Sequence, residues 1–146
     1  MSRNYKAMKI PVSVQVNQYP WIAALANTDE FFYCGGTLVG SEWVVTAAHC
    51  VFQDRAMTVP TSATDMRIVL GEHDKKSTRA KLPRKAVAVA KIVPHPNFNT
   101  KTFENDIAMV KLAEAVDVTV YTPACVASKE QDSTGKEALV YGETES

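Results

Sequence analysis

An all-β fold is predicted by three features of the sequence. Its apolar stretches are short and rich in Val, Ile and aromatic residues, turn residues separate them, and helical periodicity is weak. Stretches of this kind, six of them in one region, build an antiparallel barrel or a sandwich. Trp21 to Ala26 is the first, and Phe31 to Val39 the second, interrupted by Gly35-Gly36. Trp43 to Ala48 follows. Met66 to Leu70 alternates charged and aliphatic residues, Val87 to Val93 alternates Val with Ala and Lys, and Ile107 to Leu112 alternates again. Ala47-Ala48-His49-Cys50 is expected to form one short helical turn, with Thr46 as an acceptable N-cap. Ala113 to Pro123 is expected to be extended, because Val116, Val118, Thr119 and Val120 are β-branched. Ser128 to Lys136 is polar, contains Gly135 and reads as a linker. Ala138 to Tyr141 reads as the start of one more strand.

The length of 146 residues fits one domain. Apolar residues make up 46% and charged residues 22%, ordinary values for a chain that folds around a core. Sixteen basic and sixteen acidic residues cancel, so no nucleic-acid partner is expected. The densest charge cluster, Lys75, Lys76, Arg79, Lys81, Arg84 and Lys85, reads as a solvated loop face. No run of about 18 apolar residues occurs, so no membrane span is expected. The basic N-terminus has no apolar segment behind it, and no secretory signal is read there. Three cysteines leave one without a partner if two are bridged.

His49 follows small residues and precedes Cys50. Histidine is the side chain best suited to move protons near neutral pH, yet a single His is often structural. Asp106 stands at the head of the apolar run Ile107-Ala108-Met109-Val110. A carboxylate entering a buried strand needs a hydrogen-bond partner, which a turn or an imidazole supplies. Taken singly, neither residue decides between these readings.

The strings around them carry more. Ser41-Glu42-Trp43-Val44-Val45-Thr46-Ala47-Ala48-His49-Cys50 resembles the histidine motif of the trypsin/chymotrypsin-like serine proteases. Asn105-Asp106-Ile107-Ala108-Met109-Val110-Lys111-Leu112 resembles their aspartate motif, and the two occur in the family's order. Tyr19-Pro20-Trp21, Cys34-Gly35-Gly36-Thr37-Leu38-Val39, Val93-Pro94-His95-Pro96-Asn97-Phe98-Asn99 and Pro123-Ala124-Cys125 are similar to the family's flanking stretches. The resemblance runs from about Asn17 to Gly142. It implies an antiparallel six-stranded β-barrel of the chymotrypsin type, the first of the family's two. It also implies that His49 is the general base and later the general acid, with Asp106 holding its tautomer. Cys34 and Cys50 match a family disulfide that pins the histidine loop, a bridge worth roughly 3 kcal/mol in the chain-entropy model. Cys125 matches a cysteine whose partner lies elsewhere in the family, so a free thiol is expected. His95 and His73 match structural positions. The loop beginning at Glu72 binds calcium in some members; here its second half, Ser77-Thr78-Arg79-Ala80-Lys81, is basic, and no calcium is expected. No cofactor is implied.

Three departures qualify the resemblance. The family's nucleophile lies in a Gly-Asp-Ser-Gly-Gly string that does not occur here, and Asp132-Ser133-Thr134-Gly135 lacks the flanking glycines. After Gly142 the family continues with Trp-Gly, whereas this sequence reads Glu143-Thr144-Glu145-Ser146. Near the activation end, Lys9-Ile10 is not followed by Val-Gly-Gly. Residues 1–16 are therefore expected to be an irregular extension, 17–127 the first barrel, and 128–146 a linker with the truncated start of a second. The expected product is a fragment of a secreted serine endopeptidase, inactive alone, whose substrates or inhibitors are polypeptides and whose missing second barrel packs against the first. The alternative is a non-catalytic protease-like binding module. A metal site built from His49, His73, His95 and a thiol has no recognised ligand spacing.

Overall fold

The structure, a computed structural model, describes residues 20–71 and 83–126. Six strands form a closed barrel in the order β1-β2-β3-β6-β5-β4, where β1 is Ile22–Ala26, β2 Phe32–Leu38, β3 Trp43–Thr46, β4 Arg67–Leu70, β5 Lys85–Pro94 and β6 Ala108–Leu112. Every pairing is antiparallel. The barrel expected from the resemblance is thus the observed architecture, and the sandwich is not.

Alternation places the core. Val44 and Thr46 of β3 and Ala108, Val110 and Leu112 of β6 point inward, while Val45, Met109 and Lys111 lie partly exposed between them. Val44 pairs with Val110, which joins the strand before His49 to the strand after Asp106. β5 serves two neighbours. Lys85–Ala88 pair with β4, Val89–Pro94 pair with β6, and the register shifts between Val89 and Lys91. An irregularity of this kind bends a strand, which is how one strand turns a barrel corner. Leu25, Leu38, Ile68, Leu70 and Val87 are sealed from solvent and fill the interior.

The run Ile107–Leu112 starts one residue later than its apolar pattern predicts, because the Ile107 N–H is spent on the Asn105 carbonyl. Ala113 to Pro123 is not a strand. Val116 docks its N–H on Ser41, and the chain then turns at Asp117, whose carboxylate accepts from the Thr119 N–H and hydroxyl at 2.9 and 2.5 Å. Asp117 offers a local partner that outweighs the strand preference of its β-branched neighbours. Tyr121, buried after this turn, donates its hydroxyl to the Pro83 carbonyl. The extension 1–16, the linker and second-barrel start, and most of the basic loop lie outside the described residues.

Candidate active site

His49 is placed by three anchors. β3 ends at Thr46, whose buried hydroxyl donates to the Gly35 carbonyl at 2.8 Å and ties it to β2. The 3-10 turn Ala48–Val51 follows, with Ala47 extended at its N-cap and no side chain capping it. Thr46 is therefore not the cap; its hydroxyl is committed to Gly35. Within the turn Ala48, Cys50 and Val51 face the core, which leaves His49 on the outside with its side chain 47% exposed. The third anchor is the Cys34–Cys50 disulfide, which fixes the residue after His49 to β2 with Cα atoms 6.1 Å apart.

Asp106 arrives from the other side of the sequence, after the loop that joins β5 to β6. His95 N–H bonds the Ile107 carbonyl and Asn99 N–H the Glu104 carbonyl, so the loop closes as a narrow hairpin. Asn99 then caps its tip through Lys101 and Thr102 N–H. Two residues adopt left-handed backbone, Phe103 at φ 60° and Asn105 at φ 57°. Asp106 comes next, at the apex of a three-residue γ-turn closed by Ile107 N–H on the Asn105 carbonyl at 2.8 Å.

The turn aims the carboxylate at His49. Asp106 Oδ1 accepts the His49 backbone N–H at 2.8 Å, and Oδ2 lies 2.7 Å from Nδ1. An ionised carboxylate only accepts, so Nδ1 carries the proton and the neutral imidazole keeps its lone pair on Nε2. That is the tautomer a general base requires. Cys50 Sγ lies 3.5 Å from Nε2, but this sulfur has no proton to give, being bridged to Cys34. Phe103 meets the imidazole edge-on at 5.9 Å and continues through Phe98 to Phe52, an aromatic wall beside the pair.

His95 takes the opposite role. Its Nδ1 accepts the Asn97 N–H at 3.0 Å, a turn contact, and so its neutral form carries the proton on Nε2. Cys125 is exposed and unbridged, and His73 and Glu72 lie outside the described residues. Among the described residues only Cys34, His49 and Cys50 come close enough to suggest a metal, and both sulfurs are consumed in the disulfide. The open groove of about 550 Å³ between Glu30, Arg67 and Glu114, floored by Ala86 and Ala88, includes neither His49 nor Asp106. No helix among the described residues is long and apolar enough to cross a membrane. Sequence reading passed over Phe103 and the backbone role of Asn105. The signals were two aromatics, Phe98 and Phe103, in a largely polar loop and an Asn before Asp106, the residue type that tolerates left-handed backbone.

Comparison with known proteins gives a consistent result. The family model Trypsin matches residues 12–146. Mannan-binding lectin serine protease 1 of Mus musculus is 36% identical over 137 residues, covering 88% of this chain and 19% of that protein. A venom serine protease of Polistes dominula is 33% identical over 116 residues, covering 79% of this chain and 40% of its own length. Serine proteinase stubble of Drosophila melanogaster is 31% identical over 136 residues, with 89% and 16% covered. The chain thus spans well under half the length of these relatives.

Proposed function

The chain belongs to the trypsin family of serine proteases, and from that premise we propose that His49 and Asp106 are the base and the orienting carboxylate of a peptide-hydrolysing site. The observation that carries the reading is the 2.7 Å contact of Asp106 Oδ2 with His49 Nδ1, which leaves Nε2 free to take a proton. In the family's reaction the imidazole removes a serine hydroxyl proton as that oxygen attacks the scissile carbonyl. It then returns the proton to the leaving amine, and water repeats the cycle on the acyl-enzyme. Asp106 stabilises the imidazolium formed in each half.

The nucleophile and the oxyanion donors have to come from residues outside these 146. Losing the serine of a triad costs on the order of a million-fold in turnover, so the 146 residues alone hydrolyse no peptide bond. The substrates are polypeptides, and protein inhibitors are the competing ligands. A second barrel packs beside the His49–Asp106 pair and completes the site. Ile107 and Phe103, apolar and exposed next to Asp106, support that placement. A secreted location goes with this reading, because the Cys34–Cys50 bridge persists in an oxidising compartment.

Sequencing the transcript through and beyond the Gly142 codon tests the proposal. A frame that continues into Trp-Gly and later Gly-Asp-Ser-Gly-Gly supports it. In that complete enzyme His49→Ala lowers kcat by about 10⁶-fold and Asp106→Asn by about 10⁴-fold, read with a peptide amide substrate. A message that stops after Ser146 overturns the protease reading of this product and favours a non-catalytic binding module.

A further inference from the structure

The geometry points to Asn105 as a positioning residue for the catalytic carboxylate, acting through its left-handed backbone. This inference rests on the His49–Asp106 pair as the working site. Asp106 must meet two donors of one residue at once, the His49 backbone N–H and Nδ1. That double contact fixes the direction in which its Cβ leaves the chain. A regular β6 extended back through Asp106 would send successive side chains to alternate faces. Instead the chain reverses its backbone sense at Asn105, φ 57°, and bends again at Asp106 through the Ile107–Asn105 hydrogen bond. The Asn105 carbonyl is itself the acceptor of that γ-turn, so the conformation of Asn105 sets where the turn closes and where Asp106 points.

Asparagine suits this position for two reasons. It enters the left-handed region at lower cost than other residues with a Cβ. Its side-chain amide also donates to the Asn97 carbonyl at 3.1 Å, which clamps it to the opposite limb of the loop. Asn105 touches neither reacting atom; it acts only by aiming Asp106.

The test uses the 146-residue chain with ¹⁵N-labelled imidazoles. His49 is expected as the Nδ1–H tautomer, with a resolved, slowly exchanging proton, and His95 as the Nε2–H tautomer. Asp106→Ala abolishes the His49 proton signal. Asn105→Val, whose branched side chain resists left-handed backbone, lowers the Nδ1–H population of His49 by about tenfold while His95 keeps its signature. Asn105→Gly, free to adopt the same φ, retains most of the signal. An Asn105→Val chain with an unchanged His49 signal overturns the inference, as does equal loss in Asn105→Gly. Joint loss of both histidine signatures marks general loop collapse and also overturns it. If Asn105→Val does not fold, Asn105→Ala is judged by the same criteria. A wild-type chain with no His49 signal, or one indifferent to Asp106→Ala, fails earlier: it removes the pair and the inference together.

Discussion

Gly35 and Gly36 are indistinguishable as letters, yet the barrel treats them differently. A Cβ on Gly36 would stand 2.8 Å from Val44 Cγ1, 3.1 Å from the Val45 carbonyl and 3.2 Å from Leu25 Cδ1. Val44 is stiff at χ1 and fully buried, so it cannot swing aside. Gly36→Ala is therefore expected to destabilise the chain by about 1–3 kcal/mol, an overpacking cost. At Gly35 a Cβ meets nothing within 4 Å, and Gly35→Ala should be neutral or stabilise by about 0.4–1 kcal/mol. Urea midpoints at unchanged m-value read both, and equal midpoints for the two variants would contradict this packing. The same limit applies at the site. His49 and Asp106 are legible because each lies in a distinctive string of residues. The Thr46 hydroxyl on Gly35 is not legible, because the fold supplies its acceptor from elsewhere in the chain, and at Asn105 the residue type permits left-handed backbone without requiring it.

At the level of elements, what could be read was the interior of each strand, and what could not was where it stops. Buried residues at every second position mark Val44 and Thr46 in β3, Val87 and Val89 in the first half of β5, and Ala108, Val110 and Leu112 in β6. The start of β6 is set by a competing hydrogen bond at Ile107, and the extended run expected over 113–123 gives way to a turn closed by the Asp117 carboxylate. The loop after the histidine turn shows the same control by a carboxylate. Asp54 accepts the Thr58 hydroxyl at 2.5 Å and the Val59 N–H at 2.8 Å, and the loop then closes through the bridge between Phe52 and Pro60. The Thr58 hydroxyl first, and then the Val59 N–H, hold the Asp54 carboxyl below its ordinary value of 3.8. A lowered folded-state value means that the contribution of Asp54 is complete above 3.8 and disappears as pH falls through the lower value. The Thr58 and Val59 amide resonances should therefore hold steady down to that ordinary value and shift below it. Asp54→Asn should remove the step, and a step that survives the substitution would assign it to another group.

For the whole molecule, the interior and the exterior make different demands. The barrel closes on itself through the β1–β4 pairing, and its core is filled by its own side chains, Leu25, Leu38, Val44, Ile68 and Leu112 among them. Such a core needs no partner to be buried, so the chain is expected to unfold cooperatively on heating. The outside is less complete. Phe31 and Val126 are each 71% exposed, and Phe103 and Ile107 stand open beside Asp106. Isolated exposed apolar residues are ordinary, but a pair adjoining Asp106 lies on the side proposed for a second barrel and is the apolar surface such a barrel would cover. Without that cover the 146-residue chain should self-associate with rising concentration, read as an increasing weight-average mass in sedimentation equilibrium. Ile107→Thr combined with Phe103→Ser should weaken the association while leaving the thermal transition cooperative, because neither side chain belongs to the buried core. A wild-type chain that remains monomeric across the same range would mean that this face is stable in water. The barrel would then be self-sufficient as a module, and the packing of a second barrel against it would lose its physical motive.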